Sequence, residues 1–423
     1  MLPKHTRSLK LRTRQMLAVL VAMVILTLGI LTPLPVSALT SASAPFSLSA
    51  QAALLLDADS GAVLYEHNAR TRLPMASTTK IMTALVVVEN IDPSTSVCID
   101  RRAVGIEGSS IYLYEGEWLT VEQLLMGLLL ESANDAAVAL AIAVSGSVEE
   151  FTVLMNRKAA ALGLKDTHFE NPHGLDATTH YTTAYDLGLI AAAALTHPIL
   201  QRIMSTRRAT IPLCDMRDPN MADTDDSLTV DEDTIPVGSR VLLNHNKMPR
   251  YYDGAIGVKT GYTKHSGRCL VSAAERDGLT LIAVTLNAPD DWNDHTTLLD
   301  YGFSRYTHVT LCSMGEYQTL LPVSGGKEGY VMVTNRLDAA LTLPRDHGAL
   351  TCRVELPRFL LAPVAAQSEI GRLIFLCDTD NNGTKEEIAA VPLHAMYDVE
   401  PLPAPTLLSR ILTFFQTLFS SKA

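Results

Sequence analysis

The sequence predicts an α/β (α+β) fold in which one antiparallel sheet is covered by helices and a small all-β second domain follows. Three observations predict it. Short β-rich runs stand at both ends of the segment that closes near Tyr306, each set joined by tight Asp/Gly turns. Between them lies a block of helical signatures, and after His308 the helical periodicity gives way to short strands alternating with turns.

In chain order, residues 52–57 and 63–66 are apolar runs joined through Asp59-Ser60-Gly61, a pairing that reads as a hairpin because Asp and Gly tolerate the tight turn. A helix is expected over 78–89, with Ile81, Met82, Leu85 and Val86 on one face, and Asp92-Pro93 prevents its continuation. Two capping boxes announce further helices. Thr120 with Gln123 precedes 124–130, and Ser147 with Glu150 precedes 151–162, which stops at Gly163. Another helix, 184–196, ends against Pro198. Strands return at 257–260, 268–275 and 279–287, the last two joined through Asp277-Gly278, and 292–306 reads as a covering helix.

The runs 330–333, 350–354 and 373–376 mark the all-β part. Within it, Asp378-Thr379-Asp380-Asn381-Asn382-Gly383 mimics the start of an EF-hand loop, but Ala389 stands where the bidentate Glu belongs, so the string reads as a hairpin turn. The stretch between Cys214 and Pro236 is acidic and turn-rich, and reads as a solvated loop because closely packed like charges repel.

Both chain ends carry export or membrane signals. Lys4, Arg7, Lys10, Arg12 and Arg14 precede an uncharged run over 16–34 and small residues near Ser37, the layout of a secretory signal spanning 1–38, with an uncleaved membrane anchor as the competing reading. Either way the remainder works outside the cytoplasm. After a Pro-rich spacer at 401–405, Leu407, Leu408, Ile411, Leu412, Phe414, Phe415, Leu418 and Phe419 recur at helical spacing, which predicts an amphipathic helix over 405–421 suited to lying on a membrane surface. The domains expected between these ends are 45–306 and 308–398.

With 47% hydrophobic and 19% charged residues over 423 positions, the chain can build a substantial core. A net charge of -11 leaves no basic surplus to neutralise phosphates, which excludes a nucleic-acid binder. The six cysteines are scattered without a CxxC pair, so neither a zinc site nor a disulfide scaffold is indicated.

Ser77-Thr78-Thr79-Lys80 places Ser and Lys on the same side of a helix start, one turn apart. A serine alcohol is a poor nucleophile until a base takes its proton, and a lysine serves as that base when burial or neighbouring cations lower its pKa. The spacing alone decides nothing, because Ser324-Gly325-Gly326-Lys327 repeats it inside a Gly-Gly turn. Ser132-Ala133-Asn134 interrupts an apolar helical region, where such a polar turn aims its side chains into a cleft, or else caps the helix that follows. Lys259-Thr260-Gly261 ends an expected strand, and its glycine allows a substrate backbone to approach. Each of these two tripeptide patterns occurs once.

The order Ser-x-x-Lys, Ser-x-Asn, Lys-Thr-Gly resembles the low-molecular-mass penicillin-binding proteins, serine-type D-alanyl-D-alanine carboxypeptidases with a β-lactamase/transpeptidase-like fold, over residues 45–400. Asn171-Pro172-His173-Gly174-Leu175-Asp176 resembles the same family. The resemblance implies that Ser77 attacks the penultimate D-Ala carbonyl of a peptidoglycan pentapeptide and that Lys80 accepts its proton. It further implies that Ser132 relays a proton to the leaving D-Ala, Asn134 bonds the substrate amide, Lys259 tunes the site, Thr260 binds the terminal carboxylate, and the N–H groups of Ser77 and Tyr262 form the oxyanion hole. No cofactor or metal is implied, and β-lactams are the expected covalent inhibitors. Some relatives hold the carboxylate with an arginine beyond the third motif; Asn287-Ala288-Pro289-Asp290-Asp291 offers none, and Arg268 is the nearest candidate. His245 and His265 read as structural. A serine β-lactamase would want the Glu-x-x-x-Asn arrangement, but Glu170 has Gly174 four residues on, so slow deacylation is expected. A wall-binding or β-lactam-sensing protein is the rival from another class, although a pure binding module has no need of Lys80.

Overall fold

The computed structural model describes residues 46–213, 238–378 and 383–403. The signal segment, the acidic stretch and the terminal amphipathic helix lie outside them. The chain begins with β1 (Ala52–Asp57) and β2 (Val63–His67), paired antiparallel through the expected turn. A short 3-10 turn, Ala76–Thr79, leads into α1 (Lys80–Asn90). The hairpin β3 (Ser96–Cys98) and β4 (Trp118–Thr120) then opens a helical block: α2 (Val121–Leu130), α3 (Asn134–Ser145), α4 (Val148–Ala161), α5 (Ala184–Leu195) and α6 (Pro198–Ser205). A ribbon of β5 (Arg208–Pro212) and β6 (Ser239–Leu243) and the turn α7 (Met248–Tyr251) precede β7 (Ala255–Thr263), β8 (Gly267–Arg276), β9 (Leu279–Leu286) and α8 (Asp291–Arg305).

Strands from the two ends of this segment join in one antiparallel sheet of order β2-β1-β9-β8-β7. Its two faces are both buried, which the composition of β1 shows directly. Leu54 and Leu56 face the helical block, while Ala53 and Leu55 face α8, as the two-residue period of a strand requires. Helix α1 runs through the helical block and is buried from Lys80 to Val87 on every side. The single apolar face expected there is therefore too narrow a description: an all-round apolar helix belongs in the centre of a core.

The capping box of Thr120 and Gln123 forms reciprocally, and Ser147 accepts the Glu150 N–H. Pro198 stops one helix and opens the next, because a proline at N1 gives up only an N–H that has no helical partner. Helix α6 was not legible beyond that stop. The ribbons β3–β4 and β5–β6 also correct the expectation of a purely helical middle; three-residue strands are too short for periodicity to reveal, and β5 and β6 are separated by the acidic stretch. The described residues that flank that stretch meet, with the Leu213 N–H donating to the Gly238 carbonyl.

Beyond α8 all described elements are strands, from Tyr306–Cys312 to Glu386–Ala395, and they enclose their own core around Val331, Val333, Leu373 and Leu393. Cys377 pairs with Glu386 on either side of the EF-hand-like string, of which residues 379–382 lie outside the described residues. Cys269, Cys312 and Cys377 are buried and Cys98 and Cys352 exposed, all as free thiols.

The ribbon is tied to the helical block by charge. Arg240 on β6 pairs with both carboxylate oxygens of fully buried Glu117 and donates to the Tyr112 carbonyl at 3.0 Å. Removing one partner strands a buried charge. Arg240→Ala is expected to lower stability by about 3 kcal/mol in urea denaturation, and adding Glu117→Gln should recover part of it, since a neutral amide needs no counter-charge. A loss within about 0.5 kcal/mol for Arg240→Ala would show that the pair contributes little.

Candidate active site

Three parts of the fold converge on the N-terminus of α1. The 3-10 turn presents Ser77 and buries Thr78 and Thr79. Lys80, the first residue of α1, is fully buried and its Nζ lies 2.9 Å from Ser77 Oγ, 2.7 Å from Asn134 Oδ1 and 2.7 Å from the His173 carbonyl. Two of those neighbours can only accept, so they take two amine protons whatever the charge state. The third position on nitrogen then faces the serine hydroxyl. Burial, followed by the nearby Lys259, holds the Lys80 pKa well below the ordinary lysine range. An amine freed of its third proton can accept the one on Ser77.

Asn134 opens α3, donating from Nδ2 to the Glu107 carbonyl at 2.6 Å and from its backbone to the Ser109 carbonyl at 2.7 Å. The next residue, Asp135, is buried and accepts from Ser110 Oγ and from the N–H groups of Ile111, Leu113 and Ala136. Together the two residues fix the 107–113 loop beside the site. Ser132 is buried in the left-handed region at φ +61, and the N-cap position of α3 is Ala133 with no side-chain cap, so Ser132 does not cap that helix. Among the described residues no partner bonds the Ser132 hydroxyl.

Lys259-Thr260-Gly261 stands in mid-strand on β7, not at a strand end, and β7 is one of the two edge strands of the sheet among the described residues. Lys259 is buried and donates to the Thr260 carbonyl at 2.9 Å; burial lowers its pKa to about 7, against a pull upward from Glu131. Gly261 packs on the nucleophile turn. A Cβ there would lie 3.0 Å from the Ser77 nitrogen and 3.1 Å from both the Met75 oxygen and the Thr78 nitrogen, so the glycine serves close packing of strand on turn. Tyr262 follows, exposed.

The remaining residues sort clearly. Arg268 is engaged by Asp291 at 2.9 Å, which weakens its case as a carboxylate holder. His245 lies 3.1 Å from Glu131. Glu170 accepts from the backbone and hydroxyl of Thr179, so its carboxylate is already engaged. Lys327 pairs with Glu400, far along the chain in the β-rich part.

The profile of the D-alanyl-D-alanine carboxypeptidase family matches residues 38–290. The chain belongs to that family. It is a serine-type carboxypeptidase and a penicillin-binding protein directed at peptidoglycan, and it therefore works outside the cytoplasm. The carboxypeptidase is 32% identical to the Bacillus subtilis D-alanyl-D-alanine carboxypeptidase DacF over 373 residues, 86% of this chain and 89% of that one. Among solved structures it resembles penicillin binding protein 5 from Haemophilus influenzae, with a TM-score of 0.68 and 28% identity over 84% of this chain and 99% of the other. It also resembles the Streptomyces K15 DD-transpeptidase, at TM-score 0.54 and 32% identity over 61% of this chain and 98% of the other. The fold expected from the sequence is the fold these relatives share.

Sequence reasoning missed the backbone contributors. The carboxypeptidase uses the His173 carbonyl as a Lys80 acceptor and the Pro172 carbonyl as a partner for Thr83 Oγ1 at 2.6 Å. Asn171 sets that loop by accepting from the Gly174 N–H at 2.7 Å, and Asp176 accepts from Thr263 Oγ1 on β7 at 3.0 Å. A polar loop with an Asn at its start was the available signal.

The buried lysines make stability depend on pH. Lys259 titrates near 7 when folded and near 10.5 when unfolded, so between those values the unfolded chain binds more protons and wild-type stability rises with pH. Lys259→Met lacks that dependence. It should be the more stable protein at pH 7, with its advantage shrinking by about 1.4 kcal/mol per pH unit up to pH 10. Parallel urea titrations check the slope; a constant difference between the two proteins would show Lys259 to be an ordinary ammonium.

Proposed function

We propose that Ser77 is the nucleophile that removes the terminal D-alanine from peptidoglycan stem peptides, with Lys80 as its base. The observation that carries this reading is the Lys80 amine, buried and 2.9 Å from Ser77 Oγ with its other contacts held by Asn134 and His173.

Ser77 Oγ bonds to the carbonyl carbon of the penultimate D-Ala as its proton passes to Lys80 Nζ. The oxyanion so formed is received by the N–H groups of Ser77 and Tyr262, the first of which lies in the opening turn of a helix, where N–H groups point outward without helical partners. Collapse breaks the peptide bond, and Ser132 passes a proton to the departing D-Ala nitrogen. Asn134 bonds the substrate amide, Lys259 adds positive potential, Thr260 binds the terminal carboxylate and Gly261 keeps strand and turn close enough for both to touch one substrate. Water then hydrolyses the ester. A β-lactam enters by the same attack and leaves slowly, because Glu170 is engaged by Thr179 and supplies no dedicated base for that water.

We propose further that residues 45–306 form the catalytic domain, that 308–398 form a separate β-rich domain, that the leader over 1–38 exports the chain, and that the helix over 405–421 lies on the outer face of the cytoplasmic membrane.

Ser77→Ala is expected to abolish both covalent labelling by a fluorescent penicillin and D-Ala release from a peptide ending in D-Ala-D-Ala; retained release would overturn the assignment. Deleting residues after Pro405 from a chain with a verified mature N-terminus should move the protein from the membrane to the soluble fraction. Unchanged retention counts against the terminal helix.

A further inference from the structure

The peptide that leads into Ser77 is held by a chain of buried side chains. Ala76 adopts φ +47, the left-handed region that residues with a Cβ seldom enter without support. Its carbonyl accepts from Thr79 Oγ1 at 2.8 Å, and Thr79 Oγ1 lies 2.8 Å from His180 Nε2. The far ring nitrogen fixes the direction of this chain. His180 Nδ1 accepts from the Glu170 N–H at 3.0 Å, so in the neutral ring the proton sits on Nε2, which donates to Thr79 Oγ1, and the Thr79 hydroxyl in turn donates to the Ala76 carbonyl. Burial holds His180 neutral, with its pKa pushed down to about 4. Gly174 closes the other side, where a Cβ would come within 1.9 Å of the Ala76 oxygen.

A trans peptide is planar, with its C=O and N–H pointing opposite ways. Fixing the Ala76 carbonyl therefore fixes the Ser77 N–H. We propose that Thr79 and His180 are positioning residues that hold the Ala76–Ser77 peptide so that its N–H is aimed at the oxyanion. This rests on the assignment of Ser77 as nucleophile. Neither residue touches the substrate. Their effect is on the transition state, where charge on the carbonyl oxygen develops, and so on the acylation rate more than on initial binding.

The test separates the acylation rate constant from the non-covalent dissociation constant by stopped-flow with a fluorescent penicillin. Thr79→Val is expected to reduce the rate constant about 10- to 100-fold with the dissociation constant nearly unchanged, and Thr79→Ser, which keeps the hydroxyl, to recover most of it. A second readout is the ester carbonyl stretch of the penicilloyl-enzyme in difference infrared spectra. Aligned donors polarise that bond, so Thr79→Val should move the band to higher frequency, which a merely less stable protein would not do. Should Thr79→Val not fold, His180→Gln, which retains an N–H for Thr79, should acylate faster than His180→Phe. An unshifted band with a wild-type rate in Thr79→Val, or equal losses in the two His180 variants, overturns the positioning role. Labelling of Ser77→Ala would instead overturn the nucleophile assignment beneath it.

Discussion

A lysine amine taken out of water must be matched by acceptors or give up a proton, and at Lys80 both pressures act together. The Asn134 and His173 oxygens satisfy two of its positions, and burial next to Lys259 disfavours keeping the third proton. The third position faces Ser77 at 2.9 Å. Much of the surrounding structure follows from holding those three contacts at once. Asn134 must come from the start of α3, so the 107–113 loop is anchored to it and to Asp135. The His173 carbonyl must come from the opposite side, so Asn171 and Thr83 set the 171–176 loop against α1.

That arrangement also explains why α1 is apolar on every side. A buried amine keeps its lowered pKa only while water is excluded, and the leucines, valines and isoleucines packed around α1 exclude it. Two buried lysines in one region lower stability relative to apolar residues of similar size, and the large sheet and helical core on either side offset that loss. Reactivity and stability thus pull in opposite directions at the same atoms.

The sheet and its covering helices were legible because the signals are local. The apolar run of β1, the Asp-Gly turn before β9 and the Thr120 capping box depend on residues within a few positions of one another. Ser77, Lys80, Asn134 and Lys259 were legible from motif order. What escaped was carried by backbone atoms and by partners distant in sequence. The His173 carbonyl, the Ala76 carbonyl behind the nucleophile and the His180 ring have no side-chain pattern that announces them, since any residue supplies a carbonyl and a lone histidine more often serves packing. The mid-strand position of Lys259-Thr260-Gly261 was obscured for a related reason. Glycine and threonine before Tyr262 read as a strand end, whereas Gly261 is required within the strand by the proximity of the Ser77 turn.

The two Ser-x-x-Lys strings show where the chemistry resides. Ser77 and Lys80 share their spacing with Ser324 and Lys327, yet the lysines are shifted in opposite directions. Lys327 is exposed and paired with Glu400, whose hydrogen bond and charge raise its pKa, so it remains an ammonium with no lone pair to offer. Lys80 has no carboxylate in contact, only neutral oxygens, and burial drives it the other way. A carboxylate placed against Lys80 would stabilise the ammonium and remove the base, which makes the neutrality of Asn134 as consequential as its position. The helix start brings the Ser77 hydroxyl and the Lys80 amine together, which spacing alone does not do at Ser324 and Lys327; the charge of the neighbours decides whether the amine can take a proton.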